Sequence, residues 1–325
     1  LGHGFFAGWF ANSQGTFVAA QPGGAATWFP ANDHPADKAT FTFRITVPAG
    51  TTAVANGELT DEIAAGGSTT WVWEMDDPMA TYLATVVVGA FDRVEQPAVE
   101  GVTLRDYLPD DYDEALPAAF TRTGEMIEHF SELFGPYPFD HYGHVIVSDF
   151  TAALETQTMT VFGADWFDSP FAEFVVAHEL AHQWFGDHVS PATWRDVWLN
   201  EGFATYGELL WVEHLYCPVA MQAEAASRYD DLTRNRHALP GDPQPARLFG
   251  ISVYQRGALT LHALRAEVGD GAFFEILRTW VTRHGGSIAG TDDFIALAEE
   301  ISDTDLGALF DAWLYTEALP PLPTL

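Results

Sequence analysis

The chain of 325 residues is 47% hydrophobic and 14% aromatic, with eleven tryptophans, which marks a protein that buries a large core and excludes a disordered tail. Its 46 acidic residues against 14 basic ones give a formal net charge of −32, with Lys38 the only lysine, and such a surface repels phosphate backbones, so no nucleic acid is expected as a partner. No apolar run reaches the roughly 18 to 20 residues that cross a bilayer, so no transmembrane segment is expected in this stretch.

The sequence starts at Leu1 without an initiator methionine, a basic n-region or a signal peptide. Targeting therefore does not fix the compartment; the expectation leans to a secreted or extracytoplasmic bacterial setting, with the oligomeric state unknown. Residues 1 to about 103 read as β-structure, with FTFRITV (41–47), TTWVWEM (69–75) and TYLATVVVGAF (81–91) punctuated by PAG, ANG and AAGG. From Asp113 the period changes, and ALPAAFTRTGEMIEHFSELFG (115–135) is spaced as an amphipathic helix that stops at Gly135-Pro136. HYGHVIVSDF (141–150) reads as a strand, and helical periods follow at 171–185, 202–216, 219–236, 254–269, 272–285, 291–301 and 303–316. Ser302 and Asp305 have the Ser-x-x-Asp spacing of a helix start, and the Pro-rich ALPGDPQPARLFG reads as a surface loop. Cys217, the single cysteine, reads as a buried thiol. Two domains are expected, 1–105 and 106–325.

The segment HELAHQWFGDH (178–188) concentrates the chemistry. A helix brings positions i and i+4 to one face, so His178 and His182 can aim two imidazoles at one point, a donor pair that suits zinc. Glu179 projects about 100° round the helix, placed to act on water rather than to ligate. The flanking residues are apolar, so the motif lies on a buried helix, where histidines and a glutamate carry a desolvation cost that a metal removes. A catalytic zinc takes three protein ligands and keeps a fourth position for water. His188 follows the helix stop Gly186-Asp187 and is a poor candidate for the third; Glu201, in WLNEGFATYGELL, begins the next predicted helix.

HELAH, eighteen residues, then Glu201 of NEGFATY resembles the zinc aminopeptidases of the M1 family, the aminopeptidase N group, and the resemblance runs from QPGGAATWFPANDHPADKATF to LFDAWLYT. It implies an α+β chain: the later part of a β-sandwich-like N-terminal domain, then a thermolysin-like, mostly α-helical catalytic domain with a small sheet, as in the shorter bacterial members. It implies one zinc ion per chain held by His178, His182 and Glu201, with Glu179 as general base. The family usually reads Gly-Ala-Met-Glu-Asn on an edge strand before the zinc helix; here the segment is AALET, so Glu155 takes the amine-binding role, with Ala152 and Ala153 in the same substrate-binding segment. The changes at Ala152, Leu154 and Thr156 keep the acid but alter its surroundings. Gln21 matches a family residue that contributes to the amine site, and Tyr254, read as preceding a helix, matches the family's transition-state tyrosine.

Glu208, two turns beyond Glu201, is placed to orient a ligand histidine, while Trp184, Trp194, Trp198 and Phe203 read as core. The implied reaction removes the first residue from peptides with a free N-terminus, through a metal-activated water. A zinc endopeptidase with the same metal helix and a non-catalytic binding scaffold are the alternatives; the epoxide hydrolase activity of one family branch has no residue signature here.

Overall fold

The computed structural model describes residues 8–12, 14–112, 116–234 and 238–325. Among the described residues nine strands come first: β1 (Gly8–Ala11), β2 (Gly15–Ala19), β3 (Lys38–Pro48), β4 (Thr52–Ala55), β5 (Glu58–Ala65), β6 (Ser68–Ala80), β7 (Val86–Gly89), β8 (Phe91–Val99) and β9 (Val102–Pro109). Then follow α1 (Thr123–Phe134), β10 (His141–Val147), β11 (Ala153–Leu154), β12 (Thr160–Gly163), α2 (Ala172–Ala181), β13 (Ser190–Pro191), α3 (Trp198–Leu215), α4 (Pro218–Arg234), α5 (Ile251–His284), β14 (Ile288–Ala289), α6 (Thr291–Ser302) and α7 (Gly307–Phe310). The result is a β-rich N-terminal part followed by a helical part with small sheets. Among the described residues no helix is long and apolar enough to cross a membrane.

Two compact units emerge, one formed by the chain through Glu128 with Tyr137–Glu179, the other by His129–Pro136 with Leu180–Leu325. The division passes through α2, so that helix is common to both. The first unit holds three sheets, with strand orders β1-β2-β7-β4, β3-β6-β5 and β11-β12-β10-β9-β8. The five-stranded sheet is mixed: β10 runs parallel to β9 and β12, while β8 and β11 are antiparallel edge strands. It takes strands from both sides of residue 105, which itself lies within β9. β10 is buried along nearly its whole length, as a central strand covered on both faces requires. Its one buried histidine, His144, lies 2.6 Å through Nδ1 from Asp106 and stacks on Phe120.

In the second unit α3 is buried on every side, from Trp198 to Tyr206 without interruption, so it forms the core of the helical layer. α3 packs against α5 at Gly202 and Gly257, where a Cβ on either would lie 2.9 Å from the other's backbone. This close approach requires glycine at both positions. α4 is amphipathic, burying Met221, Ala225 and Leu232. α5 is two helices abutting at Gly269, where φ is +78°, as the separate periods at 254–269 and 272–285 anticipate.

Several expectations are corrected. The helix read at 115–135 begins at Thr123, after a short 3₁₀ turn at Ala118–Phe120; residue 115 itself, like 235–236 of the next-but-two helix, lies outside the described residues. Of 81–91, Val86–Gly89 and Phe91, the first residue of β8, are strand, and Thr81–Leu83 forms a 3₁₀ turn. Ser302 ends a helix instead of starting one: its hydroxyl bonds back to Ala298 O at 2.7 Å, and Asp303 adopts φ +50°. Cys217 is exposed, since it sits in the turn between α3 and α4 and not on a packed face. Trp184, Trp198 and Phe203 are core, but Trp194 is half-buried against Phe249.

One buried base predicts an acid sensitivity. His262 on α5 is fully buried, with Nε2–H donating to Gln222 Oε1 at 3.2 Å. Burial, reinforced by Arg265, pushes its pKa down to about 4 from 6.5. The unfolded chain thus binds a proton that the folded one refuses between these values, so stability falls as pH drops through that window and is unaffected above it. The loss attributable to this group reaches about 3 kcal/mol. His262→Asn should therefore flatten the fall in Tm between pH 7 and 4.5 relative to the parent chain; an unchanged slope would contradict the assignment.

Candidate metal centre

α2 carries Phe174, Val175, Val176 and Ala177 into the motif, and its last residue is Ala181. His182 follows at once and continues the helical winding through a tight turn, Gln183 N to Leu180 O at 3.0 Å. His178 and His182 are thus one turn apart on continuous chain. Beyond them Asp187 N bonds back to His182 O and His188 N to Gln183 O, unwinding the segment before β13.

Glu201 lies in the first turn of α3, and its Oε2 is 3.3 Å from His182 Nε2. One ligand atom from each of His178, His182 and Glu201 lies within 4.8 Å of the other two. All three are buried, at 8, 1 and 2% exposure. Whether this donor set fits zinc is decided by geometry. Two ligands at roughly 2.0 to 2.2 Å in a tetrahedral shell are about 3.4 Å apart, which matches the His182–Glu201 separation. Tautomer agrees: a carbonyl can only accept, so His182 Nδ1–H donates to Phe185 O at 3.1 Å and leaves Nε2 as the ligand atom. The residues present therefore fit a mononuclear zinc ion.

Sequence reasoning missed that Phe185 carbonyl, because a backbone acceptor leaves no mark in side-chain spacing. The carbonyl is held by packing: the Phe185 ring meets Phe134 at 5.0 Å and Phe203 at 4.6 Å between centroids. Trp184 beside it stacks edge-on with Phe130 and Phe134 and donates Nε1–H to Gly135 O at 2.9 Å. Also missed was the crossing of α3 and α5, though a glycine inside each helical pattern was its signal. The crossing brings the turn carrying Glu201, next to Gly202, against the turn carrying Tyr254, three residues before Gly257. Tyr254 does not precede its helix; α5 begins at Ile251 and includes it, half-buried.

Glu179 is buried at 6% exposure. It forms a second group with Glu155 and His182, again with one atom of each within 4.8 Å of the others. Glu155 follows the edge strand β11 directly and is 3% exposed. Gln21, also buried, donates Nε2–H to Glu155 Oε1 at 2.6 Å. Ala152 and Ala153 are half-buried; Ala152 O accepts from Gly163 N at 2.9 Å and Ala153 pairs with Phe162 of β12. A carboxylate buried this deeply carries a desolvation cost that hydrogen bonds such as the one from Gln21 reduce and that a divalent cation or an ammonium group would offset. Glu208 is paired elsewhere: it accepts from Arg228 Nη2 of α4 at 2.7 Å. His188 falls in neither group of potential ligands found among the described residues.

A buried two-histidine, one-carboxylate donor set on consecutive helices, in a chain that is β-rich first and helical afterwards, defines a mononuclear metal-centre protein of the His-Glu-x-x-His class. Comparison makes the class specific. The Peptidase family M1 domain matches residues 118–313 and the Peptidase M1 N-terminal domain residues 4–83, and the chain belongs to the M1 peptidase family. It is similar to Aminopeptidase M1 of Arabidopsis thaliana, with 29% identity over 92% of this chain and 36% of that one. Aminopeptidase N of Streptomyces lividans is 29% identical over 90% of this chain and 37% of its own length. The chain thus spans little more than a third of these curated relatives. Among solved structures, the M1 zinc metallopeptidase of Deinococcus radiodurans superposes with a TM-score of 0.91 at 36% identity, covering 98% of this chain and 73% of that one. A mutant of that enzyme has been solved bound to a Tyr-Ser-Ala substrate.

Proposed function

We propose that this chain is the hydrolytic part of a zinc-dependent aminopeptidase that removes the first residue from peptides with a free N-terminus. One observation carries the reading: the buried Glu155 lies within 4.8 Å of the group formed by Glu179 and the ligand histidine His182. The amino nitrogen and carbonyl carbon of a single residue are about 2.5 Å apart. An ammonium held at Glu155 therefore puts the first peptide carbonyl, and no later one, at the metal centre. The endopeptidase alternative leaves this buried acid without a task. The Tyr-Ser-Ala substrate complex of the Deinococcus relative supports a peptide as the substrate class.

His178, His182 and Glu201 would hold the ion, which when bound supplies Lewis acidity and lowers the pKa of water. Glu179 takes the proton of the attacking water and passes it to the leaving amine. Tyr254, protonated at neutral pH, donates to the oxyanion that develops on the carbonyl. Glu155 and Gln21 hold the ammonium, and the backbone of Ala152 and Ala153 on the outer edge of β11 aligns the peptide. For Glu208 the Arg228 pair assigns a role in joining α3 to α4, and we give it no part in the reaction.

The test compares a leucine reporter amide with its N-acetyl form. The free amine should be hydrolysed more than about a thousandfold faster in kcat/KM, as sites built to pair with a polar group reject substrates that lack it. Equal rates, or cutting of blocked peptides at internal bonds, would favour the endopeptidase reading. Glu155→Ala should cost about ten- to a hundredfold in kcat/KM, the worth of a hydrogen bond to a charged group, mostly through KM.

A further inference from the structure

Glu155 is followed by a loop that is buried throughout: Thr156, Gln157 and Met159 are fully inaccessible, and Thr158 nearly so. The loop closes on itself, with Met159 N donating to Thr156 O at 3.0 Å and the Thr156 hydroxyl donating to Met159 O. Thr158 sits at φ +63°, a left-handed conformation that a β-branched residue adopts only under constraint. Something outside the loop must hold it.

That constraint comes from the link between β4 and β5. Asn56 is fully buried and uses three of its hydrogen-bonding positions. Its Nδ2 donates to Gln157 O at 2.7 Å and to Leu83 O at 2.9 Å, and its Oδ1 accepts from Thr85 N at 2.8 Å. Next to it, Gly57 N donates to the Thr158 hydroxyl at 2.8 Å, and Gly57 O accepts from Arg105 Nη2. Gly57 has φ +83°, and a Cβ there would lie 2.0 Å from Glu74 O, so the position admits only glycine. The Asn56 amide thus holds the backbone carbonyl of the loop two residues beyond Glu155, while Gly57 N–H and Met75 Sδ of β6 meet the neighbouring side chains of Thr158 and Gln157. Gln21 reaches the same carboxylate by a bond of its own.

We propose that Asn56 is a positioning residue for amine recognition: by fixing the Gln157 carbonyl it sets where the Glu155 carboxylate stands. The proposal rests on the aminopeptidase reading. No other side-chain type of this size can donate twice and accept once in this arrangement. Asn56→Asp keeps the shape but turns an acceptor toward two carbonyls, which must move apart.

The experiment measures inhibition by two metal-binding probes, leucine hydroxamate, which carries the α-amine, and acetohydroxamate, which does not. In the parent chain leucine hydroxamate should bind far more tightly; equal binding would sink the aminopeptidase reading itself. In Asn56→Asp the leucine hydroxamate constant should weaken about ten- to a hundredfold, the scale set by displacing a binding group by about an ångström, while acetohydroxamate stays within about twofold. KM for a leucine reporter should rise with it and kcat fall much less. Thr158→Ala, which removes the hydroxyl accepting from Gly57 together with one methyl group, reads the loop independently and should shift the ratio the same way by a smaller factor. If both probes weaken together in either folded variant, or the ratio stays at its parent value in both, Asn56 is merely structural and the proposal is overturned.

Discussion

Glu179→Gln is expected to lower kcat on free-amine reporters by about a hundred- to ten-thousandfold, the contribution of a positioned general base, with KM and bound zinc nearly unchanged. The amide matches the carboxylate in size and so fits the same buried position beside His178. It cannot accept the proton of water at neutral pH, and that is the only function the change removes. In the proposed reading KM rests on Glu155 and Gln21, whose 2.6 Å hydrogen bond the substitution leaves alone. Retained turnover would remove Glu179 from the reaction, and loss of zinc would make it a ligand. Both are read from steady-state kinetics with metal analysis on the same sample.

Glu201→Ala should weaken zinc binding by more than about a hundredfold, beyond the 10- to 100-fold that loss of a mere supporting group causes. Glu201 Oε2 and His182 Nε2 stand at the spacing of two donors sharing one ion, and the carboxylate is 2% exposed. A ligand that binds only the folded state raises Tm with its concentration. Added zinc should therefore raise the melting temperature of the parent chain and leave that of the variant unmoved. An equal rise in both would show that the carboxylate does not touch the ion.

What the sequence revealed about this site follows from the range over which each interaction acts. His178 and His182 were legible because helical winding alone makes positions i and i+4 neighbours. Glu201 required a second helix to return; its place at the start of the next predicted helix made it a candidate, and the likeness to M1 enzymes made it the third ligand. Glu155, Gln21 and Tyr254 came wholly from that likeness; no local period marks a residue whose partner is over a hundred positions away, as Gln21 is from Glu155.

The misses have the same origin. Phe185 works through its carbonyl and Asn56 through three backbone groups, so neither shows in a pattern of side-chain types. The β-rich beginning and helical remainder were readable from their periods, yet the five-stranded sheet, which joins β8 and β9 to β10 and β12, depends on pairings that no period encodes. Cys217 was read as buried because cysteine usually is; its place in a tight turn after α3 overrides the average. Ser302 carried a helix-start spacing that served the end of α6, where its hydroxyl found Ala298 O first.

X-ray absorption at the zinc edge of the purified chain reads the metal centre itself. One zinc per chain is expected, in a four-coordinate shell of nitrogen and oxygen at roughly 2.0 to 2.2 Å, with two imidazole signatures and no sulfur. A chain that takes up no zinc, or a shell containing only one imidazole, would contradict that expectation.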